Sequence, residues 1–333
     1  MALGERRALV APIDWRGRSL IMDPTTFEVQ SLFYHNAYAG CVALAQKHAP
    51  NGIVDDASLL QLVYAARAAL AMNDVPGARQ LLGEDAEHPV AMSVLLLADL
   101  KEMKSLDDDA GMADVLEQMT TLLDVVEPGE LSSEIVRCNV GLALYESGDK
   151  EKALHTLQVT GQGGSTELEC VALGVHILLS MHRVDLAEAE YLAARQVSDD
   201  SLLVQYMEAW IGLVRGGRAT QQAYYVYDEM SQNTTIAHTA HQVPALVGKA
   251  VAQAAQAHPS EATATLNDAV QLDAAFPLVG ANQAVLAALS APTSSADAEA
   301  LARQHAQAQP ASELAQLWDT KRHELEEALA AMA

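Results

Sequence analysis

The sequence has few aromatic residues and little basic charge, and each shortage excludes a class of protein. Phe, Trp and Tyr make up 5% of the 333 residues, whereas a protein built on β-sheets needs more aromatic and β-branched side chains. Lys and Arg number 20 against 44 Asp and Glu, which gives a net charge of −24. Nucleic-acid binding requires a basic surface, as does unassisted docking on an anionic membrane. The composition therefore favours a helical protein that binds neither.

Cysteine and long apolar runs are also scarce. The cysteines Cys41, Cys138 and Cys170 stand apart, without the short spacing of a zinc site, and such a sparse, odd set is typical of a reducing cytosol. No segment reaches the 18 or more apolar residues of a transmembrane helix. The triplet Asp107–Asp109 lacks the glycine and the terminal glutamate of an EF-hand loop. We therefore expect no metal, no organic cofactor, no small-molecule substrate and no enzymatic activity.

A repeat dominates what the sequence does contain. Gly141–Leu157 aligns with Val175–Tyr191, at an offset of about 34 residues, the period of the tetratricopeptide repeat (TPR) helix–turn–helix unit. Small Ala153 falls opposite small Ala187, and small side chains let two antiparallel helices approach to about 8–10 Å. Such a unit cannot bury its apolar face alone and must stack with others. Further small positions are Cys41, Ala78, Ala223 and Ala262.

The repeat predicts an all-α fold. We expect a TPR-like α-solenoid of antiparallel helix hairpins, wound into a curved superhelix and closed by C-terminal capping helices. Helical periodicity is clearest in Leu59–Met72, Ser133–Tyr145 and Leu168–Met181, and no alternating strand pattern competes with it. A degenerate unit has Met112–Val126 as its second helix.

Three regions are expected along the chain. Residues 1–25 form a variable N-terminal extension, residues 26–290 the helical array and residues 291–333 the capping helices. Arginines in the extension are also a feature of organelle transit peptides, but no clean amphipathic face emerges. After a loop, the last region has helices near Ala296–Gln309 and Ser312–Met332, and leucines at helical spacing predict that the final helix docks on the array. These are Leu314, Leu317, Leu325 and Leu329.

The stacked first helices of the hairpins form one face of a TPR array, here called the first-helix face, and we expect it to bind another polypeptide. The repeat register places on it Ile135, Cys138, Leu142, Tyr145, Ala172, His176 and Leu179. The predicted partner-binding residues are Leu142, Tyr145, His176 and Leu179. Tyr145 leads because it combines a large apolar area with a hydroxyl. The competing interpretation, stronger for Leu142 and Leu179, is packing against the neighbouring hairpin.

The acidic stretch Asp99–Glu134 has two interpretations. It contains 11 acidic residues and two lysines, so it could form a contact surface for a basic partner. It could equally form a solvated face of the protein. Both interpretations remain open at the level of sequence.

Several segments of the chain go beyond what a generic TPR requires. They are Leu168–Cys170, His176–Leu179, Arg183–Ala187, Ala209-Trp210, Gly216-Gly217 and Ala223–Met230. This succession resembles the epsilon subunit of coatomer, and the resemblance extends with gaps from about Phe27 to Pro277, including Phe33–Tyr38. The chain departs from that family in its arginine-bearing N-terminus, its insert at Gly161–Gly164 and its Ala/Gln-rich tail. These departures leave the function of both ends open.

The resemblance implies a non-catalytic structural subunit of the COPI vesicle coat. In that family the array binds and stabilises the C-terminal domain of the coatomer alpha subunit, and the coat supports Golgi-to-ER retrograde and intra-Golgi transport. The protein would then lie in the cytoplasm, on the cytosolic face of the Golgi membrane and on COPI-coated vesicles. It would reach the membrane peripherally, only through the rest of the coat.

Two other functions compete with the coat function. A TPR co-chaperone or adaptor that binds another protein's peptide would use Lys, Arg and Asn on the first-helix face to hold a terminal carboxylate, whereas the predicted face is apolar. A helical-array enzyme would need clustered His, Cys or carboxylate ligands. The sequence offers no such cluster.

Overall fold

The described part of the chain is almost entirely helical. The computed structural model describes residues 23–83, 86–106, 108–127, 130–161, 167–233, 239–290, 296–310 and 312–332. Within those residues it contains seventeen α-helices and two 3₁₀ helices, and no β-strand. The prediction of an all-α, TPR-like fold is therefore confirmed.

The chain forms two compact units, the first of which ends at Val115. Its helices are α1 (Pro24–Tyr34), α2 (Tyr38–His48), α3 (Asp56–Ala71), α4 (Val75–Leu82) and α5 (Pro89–Ser105). Helix α3 is central, because it packs against the other four. Its Tyr64 is buried together with Val29 of α1 and Cys41 of α2. Burial raises the pKa of the Cys41 thiol to about 12, so this residue fills a small core position, as predicted, and stays protonated.

The second unit begins at Leu116 and consists mainly of helix pairs. Helix α6 (Asp109–Thr121), which crosses the boundary in sequence, continues into a 3₁₀ turn at Leu122–Asp124. Together these correspond to the second helix predicted for the degenerate unit. The pairs are α7 (Leu131–Glu146) with α8 (Lys150–Leu157), α9 (Leu168–Ser180) with α10 (Val184–Val197), α11 (Leu202–Arg215) with α12 (Arg218–Ser231), α13 (Val243–Ala255) with α14 (Pro259–Leu272), and α15 (Pro277–Ser290) with α16 (Ala296–Ala308). The 3₁₀ turn Ala240–Gln242 precedes α13, and α17 (Glu313–Met332) ends the series.

Five hairpin turns in the described part of the chain follow one local rule. The first helix is followed by a residue with positive φ, a backbone conformation that is common just after a helix ends. These residues are Asn73, Gly148, His182, Gly216 and Ala257. In two turns an aspartate then caps the second helix. The Asp74 carboxylate accepts a hydrogen bond from the Gly77 N–H at 2.9 Å. The Asp149 carboxylate accepts one from the Lys152 N–H at 3.1 Å.

The predicted small positions lie where the helices of a pair meet. Ala153, Ala187, Ala223 and Ala262 are fully buried. A Cβ added to Gly212 of α11 would lie 2.6 Å from the carbonyl oxygen of Ala219 in α12, closer than any real contact. First helices also stack on one another, since α9 contacts both α7 and α11. The repeat register of the second helices is therefore confirmed.

The last helix departs from the prediction. We expected α17 to dock through its leucines, but Leu317, Leu325 and Leu329 are 51%, 60% and 59% exposed. Only the start of the helix is buried, at Ala315. Helix α17 contacts α16 near its own beginning and then presents its side chains to solvent.

Some sequence predictions fall on residues outside the described ranges. They concern residues 1–22 of the N-terminal extension, Asp107 of the acidic triplet, positions 162–164 of the glycine-containing insert and the loop at 291–295. Gly161, at the start of the insert, is described, and its N–H donates to the Glu190 carboxylate at 2.7 Å.

Candidate partner-binding face

Two of the four predicted binding residues meet on adjacent first helices. Tyr145 lies in the last turn of α7, and His176 lies in α9, which packs along α7. The Tyr145 hydroxyl is 3.3 Å from His176 Nε2, and the two rings meet edge to face with centroids 5.6 Å apart. Tyr145 is half-buried and His176 is exposed. Leu142 and Leu179 are half-buried on the same two helices.

The same line of side chains continues onto α11. The His176 ring is 6.0 Å from that of Trp210, and Trp210 stacks on Tyr206 at 5.8 Å. We call Tyr145, His176, Trp210 and Tyr206 the aromatic row. Trp210 and Tyr206 were absent from the predicted site. The signal for Trp210 was present, because it follows His176 by about one repeat period of 34 residues.

Trp210 lies next to a buried residue, Tyr227, that restricts its position. Its side chain lies beside the hydroxyl of Tyr227, a buried residue of α12, and lowers the pKa of that hydroxyl against the larger effect of burial. Burial raises the pKa of Tyr227 to about 12, so this hydroxyl stays protonated. Gly248 of α13 lies against the Tyr227 ring, where a Cβ would come within 2.4 Å. The accessible surface of Trp210 therefore lies over a tightly packed pair, Tyr227 and Gly248.

A cation lies beside the aromatic row. The Lys150 ammonium, at the start of α8, lies 6.0 Å from the centroid of the Tyr145 ring. Tyr206 and Trp210 are half-buried, so each keeps both a fixed position and an accessible surface. Large aromatic side chains with these properties dominate the binding energy of protein interfaces.

The rest of the predicted first-helix face is not accessible. Ile135, Cys138 and Ala172 are buried, at 2%, 6% and 5% exposure, so assigning them to an exposed face was wrong. The reason is that the N-terminal half of α7 packs against α9 and the 3₁₀ turn after α6. The accessible part of the first-helix face is therefore limited to the C-terminal end of α7 and the first helices stacked beside it.

A buried ionic cluster occupies the covered end of α7. One Arg137 nitrogen, Nη1, donates to both oxygens of the Glu167 carboxylate at 2.6 and 2.7 Å, and Nη2 donates to the Ser133 hydroxyl at 3.0 Å. Burial, followed by the charges of Glu167 and Glu169, raises the pKa of Glu134 to about 7. The cluster joins α7 to the residue that precedes α9.

The acidic stretch is partly engaged within the protein. Asp99 and Glu102 both accept hydrogen bonds from the Arg79 guanidinium, at 2.5 and 2.9 Å. In the described residues no group of three or more His, Cys, Asp or Glu side chains is arranged to hold a metal ion. Of the helices described, none has both the length and the apolar character needed to cross a membrane.

Comparison with known proteins places these features in one family. The family model for the coatomer epsilon subunit matches residues 22–333. Coatomer subunit epsilon-1 of Arabidopsis thaliana is 30% identical over 48% of this chain and 52% of its own length. The corresponding values are 29%, 62% and 66% for coatomer subunit epsilon-2 of Oryza sativa subsp. japonica, and 26%, 77% and 81% for coatomer subunit epsilon-1 of the same plant. The matched segments thus span from about half to four fifths of these relatives.

A solved structure shares the fold. The tetratricopeptide repeat protein from Parabacteroides merdae superposes with a TM-score of 0.52 over 84% of this chain and 98% of its own. Its sequence identity is 12%, so the similarity concerns the helical repeat architecture alone.

Proposed function

Because the chain belongs to the coatomer epsilon subunit family, we propose that it is a non-catalytic subunit of the COPI vesicle coat that binds and stabilises the C-terminal domain of the coatomer alpha subunit. It would act in the cytoplasm and reach the Golgi membrane and COPI-coated vesicles through the rest of the coat. Its role would be in Golgi-to-ER retrograde and intra-Golgi transport. The proposed domain organisation is an extension at 1–25, the array at 26–290 and the C-terminal helices at 291–333.

The aromatic row is the observation that best supports a polypeptide partner. It crosses three first helices with ring centroids 5.6–6.0 Å apart, so a segment lying along it would meet one ring after another. Burying these partly exposed rings would remove apolar surface from water. This would stabilise the complex by about 25 cal/mol per Å² of apolar surface buried. The hydroxyl of Tyr145 and the imidazole of His176 add hydrogen-bonding groups at the α7 end of that surface.

The same row argues against the co-chaperone alternative. A clamp for a terminal carboxylate needs several cations and amides around one point, since a carboxylate accepts several charge-assisted hydrogen bonds. The accessible residues here are aromatic, with Lys150 beside Tyr145. An extended apolar contact fits this surface better than a carboxylate clamp does.

Titration of the purified chain with a recombinant C-terminal domain of the coatomer alpha subunit tests the proposal. We expect Tyr145→Ala and His176→Glu to weaken binding, the stronger of the two by roughly 2 kcal/mol or more, as for an interface hot spot. Both side chains are accessible, so the thermal melt followed by circular dichroism should change little.

Tyr225→Ala is the matched control. Tyr225 is a tyrosine with an accessible side chain, 54% exposed, but it lies on the second helix α12, away from the row, and its loss should leave binding unchanged. Normal binding by both row variants would show that the partner is held elsewhere, and the acidic stretch Asp99–Glu134 would then be the next surface to test.

A further inference from the structure

Helix α17 presents an apolar stripe that the described part of the chain does not cover. Leu317, Leu325 and Leu329 are each more than half exposed, and Trp318 is 36% exposed. At about 100° per residue, these four side chains fall within about one third of the helix circumference. Scattered exposed leucines are ordinary, but four large apolar side chains on one face, with Lys321 among them, mark an interaction surface.

The helix is anchored at its start and extends from there. Ser312, just before α17, places its hydroxyl 2.7 Å from Nε2 of His305 in α16 and accepts a hydrogen bond from the Ala315 N–H at 3.3 Å. Ala315 is buried, whereas the side chains described from Gln316 onwards are exposed. With 20 residues, α17 is about 30 Å long. Most of that length is available to another molecule.

We propose that this stripe is a second binding surface for the partner chain that occupies the aromatic row, and that it lies in an apolar groove between helices of that partner, with Lys or Arg on the groove rim. This proposal rests on the proposed function, because it needs a heteromeric coat. Packing an amphipathic helix into an apolar groove is a common mode of polypeptide recognition.

Charge decides among the possible occupants. The basic residues of α17 are paired within the helix: Lys321 contacts Glu324 at 2.7 Å and Arg322 contacts Asp319 at 3.3 Å. Further acidic residues, Glu326 and Glu327, make the polar side of the helix negative. An anionic membrane would repel that side. A second copy would bring together two chains of net charge −24 and two lysines, since Lys321 lies within the stripe. A groove with Lys or Arg on its rim would complement the negative polar side of α17.

Both surfaces belong to the second unit of the chain, so one partner that fills both would bind bivalently. Once the aromatic row is engaged, the groove is held near α17 at a high effective concentration. The stripe therefore adds affinity even when its own contact is modest.

The test compares two triple variants with the same change in charge. The stripe variant combines Leu317→Asp, Leu325→Asp and Leu329→Asp. The control combines Gln316→Asp, Thr320→Asp and Ala330→Asp, which are exposed residues on the opposite side of α17. Both are titrated with the recombinant C-terminal domain of the alpha subunit. We expect the stripe variant to raise the dissociation constant at least about tenfold and the control to change it by no more than about twofold.

Each other outcome is decisive. If the stripe variant binds normally while Tyr145→Ala does not, the α17 proposal is wrong and the proposed function stands. If the wild-type chain does not bind the domain, both fail. Sedimentation that shows self-association lost in the stripe variant would assign the stripe to a second copy. Flotation of the wild-type chain, but not of the variant, with phosphatidylserine-containing vesicles would assign it to a membrane. Either result overturns the proposal.

Discussion

At the scale of single residues, the absence of a side chain sets how closely two helices approach. Gly212 of α11 faces the backbone of α12, and its carbonyl accepts a hydrogen bond from the Thr220 hydroxyl at 3.2 Å. A Cβ at this position would meet the Ala219 carbonyl oxygen at 2.6 Å, and a backbone atom cannot rotate away. Since Trp210 lies two residues earlier, the same contact helps to position the aromatic row.

We therefore expect Gly212→Ala to lower the free energy of unfolding by about 1–3 kcal/mol, the usual cost of overpacking. Gly40→Ala is the control, because a Cβ there would find its nearest neighbour, Leu32, at 3.9 Å. That change should be neutral or stabilising by up to about 1 kcal/mol, since alanine favours helices over glycine. Urea denaturation of both variants checks this, and equal effects would contradict the close approach of α11 and α12.

At the scale of one element, α7 divides into a covered half and an accessible half. Its N-terminal turns hold Arg137 of the Arg137–Glu167 ion pair and the half-buried carboxyl of Glu134, and its last turn carries Tyr145. Removing one partner of a buried pair leaves an uncompensated charge, which is why such pairs are costly to break. The covered half therefore fixes the position of the half that bears the site.

The carboxyl of Glu134 gives this element a dependence on pH. Its pKa is raised by burial to about 7 in the folded protein, against an ordinary value of 4.5. Between these values the folded state binds more protons than the unfolded state, so the free energy of unfolding falls as the pH rises through the window. We expect Glu134→Gln to be more stable than the wild type above pH 7, with the difference shrinking as the pH is lowered towards 4.5.

Thermal denaturation across that pH range provides the measurement. Glu151→Gln is the control, because Glu151 is an exposed residue of α8 and should give no such pH-dependent gain. A gain for Glu134→Gln that stays constant with pH would mean that this carboxyl does not titrate in the window.

At the scale of the whole molecule, the features that could be predicted from the sequence are those set by the repeat period. The hairpins and the buried alanines follow from spacings of about one period, which are visible in the chain itself. The shared face of Tyr145 and His176 was also predicted, but their direct contact, across 31 residues of sequence, was not. The buried pair Arg137–Glu167 was not foreseen, because its register matches no TPR position and its partners lie 30 residues apart. The exposure of the α17 leucines was also missed. Helical spacing shows that a stripe exists but does not show what lies against it.

Membership of a coat complex is a property of the whole chain and is tested on the whole chain. The direct measurement is affinity purification of the tagged full-length protein from cytosol at physiological salt, with the co-purifying proteins quantified by mass spectrometry. We predict a large heteromeric assembly that contains the other coatomer subunits, with the alpha subunit in a 1:1 ratio to the tagged chain. Recovery of the chain alone, or with chaperones in place of coatomer subunits, would contradict its assignment to the COPI coat.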